Sequence, residues 1–260
     1  MNFTLKIITF CMFLLCFVSL ISCNSNNRDE LDVYAAASLY GPLNDLKTNY
    51  NKSLNIDYGG SIEMINKVNL GANPDILIIA DLDNVKNINE NLNKIALSKK
   101  LLTNEIVLIY KKKLGDSLNL NEICDQSNIK LGIADPLQAP LGKYSIEILD
   151  RFPDCKKDAS KKKLRIFNNA MVLINTLKLE YLDAALIYRS DLVSNIKLEE
   201  TFMPSDEVFN TKVYYPIVIM KNDENARKKS LENFINFIFS EESRELFSKY
   251  GFELVSNDFR

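Results

Sequence analysis

The stretch Leu31-Asp32-Val33-Tyr34-Ala35-Ala36-Ala37-Ser38-Leu39 constrains this chain more than any other. An apolar run stops at a small hydroxyl residue, and the pattern then turns helical over Pro42 to Tyr50. That order describes a buried strand whose carboxyl end feeds a helix N-terminus. Unpaired N–H groups and the positive end of the helix dipole converge at such a junction, which favours an anion. Ser38 adds a hydroxyl donor without charge, and the three alanines before it leave room against the backbone.

A second junction repeats the arrangement. Leu54 to Tyr58 reads as a strand, and Gly59-Gly60 lets the backbone come close to a ligand. Ser61 is expected to open the helix Ile62 to Leu70 as its N-cap, with its hydroxyl still near the strand ends. Further strands are predicted over Asp75 to Ile79, Glu105 to Tyr110, Lys130 to Ala134, Ala184 to Tyr188 and Val213 to Met220. Helical patterns lie at Leu82 to Asn89, Lys143 to Arg151, Ala170 to Lys178, and Ala226 to Tyr250 with a break near Ser240. This alternation predicts parallel α/β layers, in which ligands sit beyond the carboxyl ends of the strands.

Two more loops are directed at the same place. Asp135 to Tyr144 carries two prolines and a glycine that set a tight turn into a helix, with backbone N–H groups available there. Asn168-Asn169-Ala170 reads as a helix start in which Asn169 caps and Ala170 offers a free N–H. Tyr188 ends its strand and can present a phenol, neutral at physiological pH. Arg189 alternates to the other face. Asp75, Asp81 and Asp135 are expected to bond backbone or hold a hinge, since a carboxylate in an anion pocket would repel its ligand.

The N-terminus directs export. Lys6 precedes an apolar stretch from Ile7 to Leu20 that is too short for a stable span, and it ends Leu20-Ile21-Ser22-Cys23. That ending looks like a lipoprotein processing site, with Cys23 lipidated and residues 24–30 serving as a flexible tether. Removal of Cys11 and Cys16 and lipidation of Cys23 leave Cys124 and Cys155, which outside the cytoplasm either pair or stay as buried thiols. A formal net charge of −2 argues against nucleic acid as a partner. Lys111 to Lys113 and Lys156 to Lys163 read as solvated loops. The chain contains no histidine, which removes the commonest general base and makes triad hydrolase chemistry improbable. No phosphate-loop pattern and no paired carboxylates at a recognisable spacing point to an enzyme.

In order along the chain, Ala35 to Leu39, Gly59 to Ser61, Gly71 to Asp81, Asp135 to Tyr144, Ala184 to Asp191 and Tyr215 to Ile217 resemble the molybdate-binding proteins of bacterial ABC importers. The resemblance covers nearly the whole mature chain and implies the type II periplasmic binding-protein fold, two α/β lobes joined by two crossing strands near residues 105 and 213. It divides the chain into a signal peptide (1–22), a tether (23–30), lobe I (31–105 plus 214–260) and lobe II (106–213). It implies that Ser38, Ser61, Tyr188 and the N–H groups of Leu141 and Ala170 hold a tetrahedral oxyanion in the cleft, with no resident cofactor and no metal bound directly. The family usually has alanine at Leu141 and often valine at Ala170. The expected protein is a monomer at the periplasmic or outer cell surface, anchored through Cys23, that hands molybdate or tungstate to a membrane permease. Receptors of the same fold for ferric iron, prompted by Tyr214-Tyr215, or for sulfate or phosphate are the alternatives. Tungstate receptors that add two carboxylates to the metal would need them at Ala139 and Ile187, which have none.

Overall fold

The computed structural model describes residues 30–89, 94–152, 155, 164–221 and 225–255. The signal peptide, Cys23, nearly all of the tether and the lysines at 156–163 lie outside them. In chain order the elements are β1 (Leu31–Ala36), α1 (Tyr40–Asn49), β2 (Leu54–Gly59), α2 (Ser61–Asn69), β3 (Ile76–Ile78) and β4 (Ile95–Lys111). There follow α3 (Leu120–Asp125), β5 (Leu131–Ala134), α4 (Pro140–Leu149), β6 (Leu164–Phe167), α5 (Ala170–Lys178) and β7 (Ala184–Tyr188). The chain continues with α6 (Arg189–Val193), α7 (Ile196–Thr201), β8 (Phe202–Pro204), β9 (Lys212–Met220), α8 (Asn225–Ile238), α9 (Glu241–Lys249) and β10 (Glu253–Leu254). Ser240 caps α9 by accepting from the Ser243 N–H, which is the expected break in the long C-terminal helical pattern.

The strands run in the order β2-β1-β3-β9-β4-β7-β5-β6, with β8 and β10 also paired to β4. Two parallel sets, β2-β1-β3 and β7-β5-β6, are joined by the antiparallel pair β9 and β4. The 17-residue β4 is the seam. Ile95 to Glu105 pair with β9, and Ile106 to Tyr110 pair with β7. The first ten residues of β4 escape a periodicity reading because four are exposed, two half-buried and four buried in a single run, with no alternation. Backbone pairing with β9 holds them extended.

Apolar runs such as Ile76 to Ile78 and Ala184 to Ile187 are fully buried, as strands covered on both faces must be. A core continuous through both sets includes Tyr110, Phe202, Phe234 and Phe247, and a smaller cluster of Met64, Ile65, Val68, Leu77 and Ile79 lies under α2. Lys111 corrects an expectation. It ends β4 in a buried position and its ammonium donates to Glu180 O at 2.8 Å and pairs with Asp183 at 3.2 Å, so it is no solvated loop residue. Cys124 and Cys155 form a disulfide, with Cα atoms 4.9 Å apart. Among the described residues no helix is long and apolar enough to cross a membrane.

Candidate functional site

Parallel pairing brings the first two serines side by side. Ala36 of β1 is in register with Gly59 of β2, and Ser38 and Ser61 each follow their paired residue by two positions. Neighbouring strands lie about 4.8 Å apart, so the two hydroxyls emerge at adjacent strand ends. Ser38 sits in a 3-10 turn, Ala37–Leu39, that makes no side-chain cap, and its Oγ lies 3.2 Å from the Tyr215 Oη. Ser61 departs from the expected capping role. Gly60 occupies the N-cap, Ser61 is the first residue of α2, and its Oγ accepts from the Ala80 N–H at 2.9 Å, tying β2 to the residues after β3. Glycine is tolerated at an N-cap, which frees the serine hydroxyl for this bond.

The second parallel set places Leu141, Ala170 and Tyr188 at its own carboxyl ends. Ala134 of β5 pairs with Phe167 of β6, and the following loops lead into α4 and α5. Leu141 is the second residue of α4 after Pro140, and Ala170 the first of α5, positions whose N–H groups have no intrahelical acceptor. Asn169 caps α5 as expected, accepting from the Val172 N–H at 2.9 Å. The Leu141 side chain is 1% exposed and packs in the main core, so its extra bulk over alanine is absorbed there. Ala170 stands at the carboxyl end of the outermost strand of this set.

Tyr188 lies opposite Ile106, one residue past the point where β4 changes partner. Burial above all, then the neighbouring Tyr215, Asp191, Tyr144 and Asp81, push its phenol well above the ordinary tyrosine range, so it remains a neutral donor. Burial likewise raises Tyr215 to about 12, opposed by its polar contacts with Ser38 and Asn104. The two sets of strand ends meet through these groups. Ser38 touches Tyr215, which neighbours Tyr188, and the loop that carries Ala80 also carries Asp81, whose carboxylate accepts from the Tyr144 Oη of α4 at 3.2 Å. Lys143 adds contacts to Asp83 at 3.4 Å and Asp81 at 4.0 Å.

The aspartates behave as expected. Asp75 accepts from the Asp32 N–H and pairs with Arg227, Asp81 accepts from the Asp83 N–H, and Asp135 accepts from the Leu137 N–H. Arg189 turns aside to Glu105 at 2.8 Å. Asn104 and the Tyr144–Asp81 pair were not singled out from the sequence, and Tyr215 was marked as a candidate ligand only for ferric iron. Tyr144 and Tyr215 stand in motifs that the sequence did mark, whereas Asn104 carries no local signal. Among the described residues no group of three or more Cys, Asp and Glu side chains is placed to hold a metal ion.

The chain is similar to known proteins over most of its length. The family model described as bacterial extracellular solute-binding protein matches residues 31–253. A Bacillus subtilis protein assigned as the ABC transporter substrate-binding lipoprotein YvgL is 26% identical over 240 residues, covering 89% of each chain. The molybdate-binding protein ModA of Escherichia coli is 24% identical over 242 residues, covering 88% of this chain and 90% of its own. Among solved structures, a substrate-binding domain assigned to a molybdenum ABC transporter of Clostridium difficile superposes with a TM-score of 0.72 at 23% identity, over 87% of this chain and 99% of that one.

Proposed function

This chain belongs to the bacterial extracellular solute-binding proteins, with the type II periplasmic binding-protein fold, and from that premise we propose that it is the lipid-anchored receptor of an ABC importer for molybdate or tungstate. Proteins of this kind bind a solute outside the cytoplasm and deliver it to a membrane permease. The proposed site is Ser38, Ser61, Tyr188 and the N–H groups of Leu141 and Ala170, between a lobe of residues 31–105 plus 214–260 and a lobe of residues 106–213. The partner change of β4 between Glu105 and Ile106 supports that division.

The observation that carries the reading is the register that sets Ser38 and Ser61 at adjacent strand ends, opposite a phenol kept neutral by burial. All five proposed groups are uncharged donors. A fully ionised tetrahedral dianion satisfies every one of them. An anion that keeps a proton leaves that proton without an acceptor, at a cost of about 1–3 kcal/mol. Molybdate and tungstate are dianions at neutral pH, sulfate has the charge but is smaller, and phosphate is usually protonated.

The ferric alternative gains nothing from Tyr214-Tyr215. Successive strand residues point to opposite faces, Tyr215 is buried against Ser38, and the Tyr214 ring lies 3.8 Å from the Lys100 ammonium. A thermal-shift titration of the mature, ligand-free protein against molybdate, tungstate, sulfate, phosphate and ferric citrate tests the proposal. Tight binding at a thousandfold excess over the dissociation constant adds about 4 kcal/mol of stability. A response confined to sulfate, phosphate or iron sinks the molybdate reading.

A further inference from the structure

Ser61 is held by its oxygen and keeps its proton. The group that meets its Oγ at 2.9 Å is the backbone N–H of Ala80, which can only donate, so the hydroxyl accepts there and spends one lone pair. Among the described residues no acceptor takes the hydroxyl proton. Other helix hydroxyls behave differently. Thr48, Ser145 and Thr176 donate to the carbonyl four residues back, at 3.0, 2.7 and 2.8 Å. Ser61 is also the first residue of α2, where its own N–H lacks an intrahelical acceptor, so it carries two unspent donors side by side.

Ala80 is held on both sides. Before it, the Ile79 N–H donates to Pro216 O of β9 at 3.4 Å. After it, the half-buried Asn84 reaches back from the 3-10 turn Leu82–Asn87 to the Ala80 carbonyl oxygen at 2.8 Å. A carbonyl oxygen only accepts, so the Asn84 atom that meets it is the amide nitrogen. The Asn84 main chain is itself tied, its N–H donating to Asp81 O at 3.1 Å, and Asn87 Nδ2 donates to Asn84 Oδ1 at 3.3 Å. Asp81, the next residue after Ala80, accepts from Tyr144 of α4 at 3.2 Å, which places this turn where the two sets of strand ends meet.

We propose that Asn84, acting through Ala80, is the positioning residue that keeps the Ser61 proton directed at the bound anion and so sharpens the preference for fully ionised oxyanions over protonated ones. This rests on the oxyanion reading of Ser61. Asn84 needs no contact with ligand. Without its brace the Ala80 N–H loses its fixed place against Ser61 Oγ, and the hydroxyl turns to accept from a protonated anion as readily as it donates to an ionised one.

Two measurements decide it. In ligand-free protein, exchange of the Ala80 amide hydrogen, read by NMR, is expected to quicken about tenfold in Asn84→Ala and in Ser61→Ala. Wild-type protection of that amide in Asn84→Ala overturns the proposal, whatever the ligand proves to be. In binding titrations Asn84→Ala is expected to weaken molybdate about fivefold and to narrow its preference over hydrogenphosphate by a similar factor. In a Ser61→Ala background the same change is expected to cost less than about twofold. Parallel losses for both anions, or additive losses in the double variant, overturn it. A wild-type protein blind to molybdate and tungstate would refute the proposed function and with it the role toward the anion, and the exchange rates would still decide whether Asn84 fixes Ser61.

Discussion

The hydroxyls of this site are distinguished by what they are not used for. Neither Ser38 nor Ser61 caps its helix; the Ser38 hydroxyl meets Tyr215 and the Ser61 hydroxyl accepts from the Ala80 N–H, just beyond the carboxyl ends of their strands. Ser38→Ala and Tyr188→Phe are each expected to weaken molybdate about tenfold or more, with little change in melting temperature, as calorimetric titration would read. Because burial raises the Tyr188 phenol, affinity is expected to stay flat from about pH 6 to 9. Asp191 makes a prediction of opposite sign to an ordinary carboxylate. Burial raises it from 3.8 to about 6, against the Tyr188 backbone bond and the charge of Lys178, and its buried Oδ2 has no hydrogen-bond partner among the described residues. Between those values the folded state holds a proton that the unfolded state has released. The contribution is complete below about pH 4 and lost above about pH 6. Asp191→Asn should therefore flatten the melting curve across that window and leave the protein no less stable at pH 7.5. A clear loss of stability at pH 7.5 would show that the ionised carboxylate is stabilising. Ser38, Ser61 and Tyr188 were legible as residues because each ends a strand pattern. Asn104 was not, because its partner Ser190 is 86 residues away, and Tyr215 was read as an iron ligand and not as the partner of Ser38, 177 residues away.

The elements that present these groups are set by close backbone approach. A Cβ on Gly142 would overlap the carbonyl oxygens of Ala134 and Asp135, so α4 reaches the end of β5 only because residue 142 lacks one. Gly142→Ala is expected to cost about 1–3 kcal/mol and to displace Leu141 and Tyr144 together, which denaturation and molybdate titration would both register. From the same helix, Tyr144 reaches Asp81, a residue held at φ 70° before the 3-10 turn Leu82–Asn87. If that bond holds the lobes closed, Tyr144→Phe should speed molybdate release several-fold while leaving the ligand-free melting temperature nearly unchanged. An unaltered off-rate in stopped flow would remove it from closure. At this scale the buried strands and most long helices were readable from period alone. The capping box of α3, Asn119 with Glu122, is a local signal of the same kind. The four residues of β6 were not readable, since a short edge strand with mixed exposure carries no period.

Across the molecule, two parallel sets share one seam, and the covalent link lies within the second set. The disulfide closes a separation of 31 residues, for which loop entropy predicts about 3–4 kcal/mol of stabilisation. Reduction, or Cys124→Ser with Cys155→Ser, is expected to lower the melting temperature markedly. Neither cysteine belongs to the strand ends that carry the proposed site, so the molybdate dissociation constant should move less than about twofold. A large loss of affinity would mean that the link shapes the cleft.

By itself the sequence determined the alternation of strand and helix, the places where small hydroxyl and glycine residues end strands, and the absence of histidine chemistry. Those are local facts, written in period and in the residue types that helix starts accept. Which strand ends face one another was decided only by tertiary structure. Register between β1 and β2 sets Ser38 beside Ser61, and the change of partner along β4 brings Tyr188 to the seam. The pairing of Cys124 with Cys155, left open by counting, was decided by the fold, which brings their Cα atoms to 4.9 Å. The contact of Ser38 with Tyr215 belongs to the same class, because no sequence period relates two residues 177 apart.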